Sequence, residues 1–167
     1  MCFYHASVHI YKPGQIVSID DFEGDSTHDH AERQASEQEI NIRFDELRPE
    51  TITYSRVKCI YLFDSYENCI SYVPKTSSTS FHFYMVKPIS VFGGFPMCLV
   101  NFAYKNAGNI ELVQKIAAEY WAPSHNWNVK EYLSAQIEIV QECTEKKLSD
   151  TNPYMDDQDL AKKWIKQ

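Results

Sequence analysis

Three strand-like blocks stand far apart in this chain: Phe3-Tyr4-His5-Ala6-Ser7, Cys59-Ile60-Tyr61-Leu62-Phe63-Asp64 and Lys130-Glu131-Tyr132-Leu133. A strand leaves backbone donors and acceptors that only a neighbouring strand can take up. Blocks this distant point to one sheet assembled by long-range pairing, with helices in the intervals. At 167 residues, 44% apolar and 14% aromatic, the chain can bury one sizeable core, and a single domain over 1–167 is expected.

The remaining elements follow from pattern and punctuation. Lys12-Pro13-Gly14-Gln15 marks a turn before Ile16 to Ile19, which reads as a hairpin-like return of the first strand. Asp20 to Thr27 reads as a polar loop. Ala31 and Ala35, then Ile40, Phe44 and Leu47, fall on a helical stripe ending before Pro49. Val57 to Phe63 is a nearly continuous apolar run, a buried strand, and Ser65 to Val73 has the length of a short helix stopped at Pro74. Lys75 to Ser80 reads as a loop. Phe81 to Val86 and Met97 to Phe102 read as strands split by a turn at Gly93-Gly94. Asn109 caps a helix whose apolar face includes Val113, Ile116, Ala117 and Tyr120 and which ends at Pro123. Glu131 to Leu133 and Ile137 to Val140 look like two closely joined strands. Asp156 to Lys166 reads as a helix with Leu160, Trp164 and Ile165 inward, an appendage within 149–167. Strands with segregated helices make this an α+β domain.

Composition narrows function. No stretch approaches the roughly 18 consecutive apolar residues of a membrane span, and the N-terminus lacks the basic and apolar regions of a signal peptide. A soluble, cytoplasmic protein is expected. The five cysteines are odd in number and include no Cys-x-x-Cys pair, which argues for reduced, mostly buried thiols. His28-Asp29-His30 with His5 and His9 lacks the partners of a metal centre and reads as solvated, so no metal is expected. Net charge is −7, which disfavours a generic polyanion binder. The charge is uneven: residues 20–50 carry 11 acids against three Arg, and 51–130 carry seven Lys/Arg against four acids. The mildly basic middle stretch, with Trp121 and Trp127 taken as exposed, suits stacking on an unpaired nucleic-acid base.

A His, a Tyr and a Glu on three strands of one sheet resemble the histidine–tyrosine–glutamate site of ADP-ribosyltransferases, the group of diphtheria toxin, the poly-ADP-ribose polymerases and the rifampin-modifying enzymes. The resemblance implies a split β-sandwich of two small sheets flanked by helices, with NAD as co-substrate. It makes His5, Tyr61 and Glu131 the catalytic set. His5-Ala6-Ser7 is similar to the block that binds the adenosine ribose and, through backbone, the nicotinamide amide; Ala6 stands where the family carries Gly. Tyr61 and Tyr72, 11 residues apart, match the rings that sandwich nicotinamide, and Cys69 stands where a Ser bonds its amide. Glu131 takes the position of the carboxylate that bonds the ribose 2′-hydroxyl and stabilises an oxocarbenium-like transition state. A competing register makes Glu138 that residue, through Gln136-Ile137-Glu138. Val129 stands where arginine-modifying transferases carry Glu.

The implied activity is mono-ADP-ribosylation of a macromolecule, a nucleic-acid base or a protein side chain, as in toxins and defence effectors. A neutralising, antitoxin-like protein is the implied partner. The alternative is a non-enzymatic relative that keeps the fold as a NAD-binding or protein-interaction module, which Ala6 and Cys69 favour.

Overall fold

The computed structural model describes residues 2–22, 35–72, 80–143 and 153–166, with the backbone alone at 22, 35–38, 72, 153 and 154. The helical position of Ala31, the His28-Asp29-His30 run, most of the 20–27 loop and the 75–79 loop lie outside these residues.

The described elements are β1 (Phe3–Ser7), β2 (Ile16–Ser18), α1 (Ala35–Glu46), β3 (Ile60–Phe63), α2 (Tyr66–Tyr72), β4 (His82–Pro88), β5 (Phe92–Pro96), α3 (Met97–Lys105), α4 (Ile110–Trp121), β6 (Lys130–Ser134), β7 (Gln136–Cys143) and α5 (Pro153–Ile165). The strands form an antiparallel sheet in the order β2-β7-β4-β1-β3-β6-β5. The domain is thus α+β. No described helix is long and apolar enough to cross a membrane.

The sheet is unevenly knit. β1 pairs with β4 over five positions and β3 with β6 over four, whereas β1 meets β3 at the single pair Tyr4↔Phe63. Four strands, β2-β7-β4-β1, and three, β3-β6-β5, therefore meet along a seam. The strand order is continuous, where two small sheets were expected. β6 and β7 are joined by Ala135 alone, yet they do not pair with each other. β6 lies between β3 and β5, and β7 lies between β2 and β4. The chain crosses from one half to the other at that residue, where the fully buried Ser134 donates its hydroxyl to the Ser90 carbonyl at 2.7 Å.

Three other expectations need correction. β2 does not return on β1; it pairs with β7, with Val17 opposite Ile137. The turn at Gly14, whose N–H donates to the Ile139 carbonyl, sends the chain to that edge, where Val17 is buried. Gly93-Gly94 is part of strand β5 rather than a turn. A Cβ on Gly93 would lie 2.6 Å from Tyr132 Cα, so a glycine lets the edge strand approach β6. Met97 to Phe102 is helix, not strand. Its apolar residues are buried at consecutive positions 97–100, a run whose periodicity does not separate helix from strand. Pro96 ends β5 and serves as the helix N-cap.

Other elements form where the pattern placed them. Asn109 caps α4 by accepting a hydrogen bond from Leu112 N at 3.1 Å, and Val113, Ile116, Ala117 and Tyr120 are buried. Helices α1, α3, α4 and α5 cover the β3-β6-β5 half, where Phe44, Tyr61, Leu99, Tyr120 and Leu133 share a core with Trp164. Truncating one such large residue to Ala typically costs about 2–5 kcal/mol. α5 is integral rather than appended: the fully buried Asp157 accepts from Asn128 N, Asn128 Nδ2 and Val129 N at 2.7–3.0 Å. These bonds fix the chain immediately before β6.

Candidate active site

β3 is buried at all four positions because it lies between β1 and β6. Its pairings set the geometry of the predicted residues. Tyr61 faces Leu133 and Phe63 faces Glu131, so Tyr61 and Glu131 project from one face, toward the helices. Antiparallel partners share a face and neighbours alternate. Tyr4, paired with Phe63, is on that face too, and His5 is on the other. Strands β1 and β6 are thus separated by β3 alone, but the His5 and Glu131 side chains leave the sheet on opposite sides.

The three residues are nevertheless linked. His5 is buried, and its Nδ1 lies 3.0 Å from the Tyr61 carbonyl oxygen. A carbonyl only accepts, so Nδ1 carries the proton and, in the neutral ring, Nε2 is the acceptor. The Tyr61 hydroxyl donates to the Arg56 carbonyl, and the Arg56 guanidinium lies over the Tyr61 ring at 5.1 Å. The same guanidinium forms an ion pair with Glu131.

Arg56 is the residue that sequence reasoning missed. It is 3% exposed and Glu131 is 1% exposed. Arg56 Nη1 donates to Glu131 Oε1 and, at 2.7 Å, to the Tyr120 hydroxyl, which itself donates to Glu131 Oε1 at 2.6 Å. The rings of Phe44, Tyr61 and Tyr120 surround the guanidinium at 4.9–5.8 Å, a desolvated cation–π arrangement. Burial opposes charge on Arg56, but Tyr120 and Tyr61 keep its pKa above the ordinary guanidinium value. Burial pushes the Tyr120 pKa up, so its hydroxyl remains a donor. Asp45 on α1 accepts from Arg56 N at 3.0 Å and from Ser55 Oγ, fixing the segment before β3. A sequence signal existed: a lone Arg just before a buried strand whose neighbour carries a Glu.

Other predicted residues stand apart. Ala6 is half-buried and packs, with Tyr4, toward the cluster beneath α2. Ser7 is buried and its hydroxyl accepts from His9 N at 3.1 Å. Cys69 is fully buried beside Phe63 and Phe83, and burial pushes its thiol pKa up; it is a core residue with no exposed sulfur to offer a ligand. Tyr72 ends α2, and its side chain lies outside the described residues. Glu138 is on β7, opposite Lys87 and Ile16 in the four-stranded half. Trp121 and Trp127 are buried, 6% and 2% exposed, correcting their reading as exposed stacking platforms. Their indole N–H groups donate to the Phe44 carbonyl and to Glu119.

A cavity of about 300 Å³ opens beside α2, lined by Tyr4, Tyr66, Glu67, Met85, Glu142 and Cys143 among others. His5, Tyr61 and Glu131 do not line it. Among the described residues, no group of three or more His, Cys, Asp or Glu is placed to hold a metal ion. No protein-family model matches the chain, and no curated protein sequence matches it. The functional reading therefore stands on the residues themselves.

Proposed function

We propose that the protein is a NAD-dependent mono-ADP-ribosyltransferase of the histidine–tyrosine–glutamate type acting on a macromolecule, in the manner of a toxin or defence effector. The observation that carries the reading is the connected set His5–Tyr61–Arg56–Glu131, drawn from β1, the segment before β3, β3 itself and β6. The seam between β1 and β3, crossed by one registered pair, supports the split-sandwich form of the fold. A shared NAD requires His5 and Glu131 on one side of the sheet, and they leave it on opposite sides.

The donor set fits this co-substrate. His5, whose Nδ1 donates to the Tyr61 carbonyl, is the residue the reading assigns to a ribose hydroxyl. Glu131, ion-paired with Arg56, supplies the anion that a developing oxocarbenium requires. In the step itself, the bond between ribose C1′ and the nicotinamide nitrogen breaks, and nicotinamide leaves neutral with the electron pair. The acceptor nucleophile bonds C1′ and gives up its proton. Tyr61 and Tyr72 are the rings assigned to nicotinamide. The acceptor is a nucleic-acid base or a protein side chain; with Trp121 and Trp127 buried, the mildly basic 51–130 stretch is what remains in favour of a polyanion. A neutralising protein partner belongs to the same reading.

A second reading, a binding module without turnover, is favoured by one observation: Glu131 is almost wholly enclosed by Arg56 and Tyr120. NAD labelled in the adenylate separates the two. The transferase releases nicotinamide and leaves label on protein, RNA or DNA when these pools are offered separately. The binding module retains intact NAD or ignores it.

A further inference from the structure

We propose that Arg56 is the positioning residue of this site: together with Tyr120 it grips Glu131 through Oε1 and sets the orientation of the carboxylate. The inference rests on the transferase reading and names a residue that reading did not include.

Both Arg56 Nη1 and Tyr120 Oη donate to Glu131 Oε1. Two donors on one oxygen restrict how the carboxylate can turn. The clamp also couples the two halves of the constellation. The guanidinium that holds Glu131 lies over the Tyr61 ring, and the Arg56 carbonyl receives the Tyr61 hydroxyl. One residue thus sets a ring and a carboxylate relative to each other.

The charged and titratable groups around Arg56 make the electrostatic consequence specific. Tyr61 comes from β3, Tyr120 from α4, Asp45 from α1 and Tyr104 from α3, with Cys59 following Arg56. Of these and Arg56, only Arg56 is a cation. Removing it leaves Glu131 buried beside the Tyr120 hydroxyl without its cation, so the proton affinity of Glu131 must rise. A merely structural arginine would not produce that change in the pH dependence of turnover.

The test is nicotinamide release as a function of pH by the wild-type protein and by Arg56→Gln, Arg56→Lys and Tyr120→Phe. Arg56→Gln is expected to lose on the order of 10²–10³-fold in kcat, with KM for NAD little changed. The acid limb of its kcat/KM profile should move up by about one pH unit or more. Arg56→Lys should recover part of both effects because the charge returns without the fork. Tyr120→Phe should shift the limb in the same direction by less. A folded Arg56→Gln protein with the wild-type kcat and acid limb overturns the proposal, as does a rise in KM with kcat retained. If Arg56→Gln does not fold, Tyr120→Phe decides alone, an unmoved limb overturning the proposal. A wild-type protein that releases no nicotinamide overturns the transferase reading and this inference with it; an active wild type with indifferent variants overturns only the role of Arg56.

Discussion

Glu119 and Glu131 are both buried, 7% and 1% exposed, and the protein treats them differently. Glu119, on α4, is filled on both oxygens: Oε1 accepts from Ser124 N, His125 N, His125 Nδ1 and Trp127 Nε1, and Oε2 accepts from Ser124 Oγ, all at 2.7–3.2 Å. Its partners are neighbours in sequence, and its work is to fold the loop from α4 to β6. Glu131 draws its partners from 11 and 75 positions away. Both donors reach Oε1, and one of them is a guanidinium. Glu119 is held by local donors that shape a loop, Glu131 by a long-range cation, and that contrast motivates the proposal for Glu131.

The largest effect that can break this contrast is on stability. Arg56→Ala strands a buried carboxylate and should cost about 3–5 kcal/mol, read as a lowered urea midpoint. An exposed, weak pair would cost far less, and a loss below about 1 kcal/mol would contradict the burial described here. Next is affinity. Tyr72→Ala should weaken NAD binding by about 1–3 kcal/mol, by analogy with base–aromatic stacking, whereas Trp127→Phe, beside Glu119, should leave NAD titrations unchanged. Equal affinities in both would misplace the pocket.

The smaller effect concerns Glu119. Burial raises its pKa, but the bonds from Ser124, His125 and Trp127 outweigh burial and hold it below its ordinary value of 4.5. A depressed folded-state pKa contributes stability that is fully present above the unfolded value and is lost as pH falls through the folded one. Glu119→Gln should therefore be less stable near neutrality by about 1–3 kcal/mol. The gap to wild type should close as pH falls below about 4.5. A gap independent of pH would mean that the carboxylate charge is not what the loop uses.

Much of the frame was legible in the chain. Asn109 and the apolar face of α4 announced themselves through capping chemistry and a 3.6-residue period, and β3 with α2 through an apolar run, a polar break and Pro74. Met97 to Phe102 was misread because a helix buried on most sides is as continuously apolar as a buried strand. Trp121 and Trp127 were misplaced because burial of an indole depends on a distant acceptor, here the Phe44 carbonyl and Glu119. The strand pairings of β2, β6 and β7 depend on where turns send the chain, which local pattern does not encode. His5, Tyr61 and Glu131 were singled out by type and order, and the fold places them on the neighbouring strands β1, β3 and β6, while Cys69 was offered a ligand role that its full burial removes. Arg56 was missed because its meaning comes entirely from a partner 75 positions away.

The most direct measurement is nicotinamide release from NAD by the wild-type protein beside Glu131→Gln, Glu138→Gln and Glu119→Gln, each corrected for the folded fraction. The account predicts a wild-type activity that falls on the order of 10²–10³-fold in Glu131→Gln while affinity for NAD changes little, with Glu138→Gln and Glu119→Gln close to wild type. A dead Glu138→Gln beside an active Glu131→Gln, or full activity in all three variants, would contradict it.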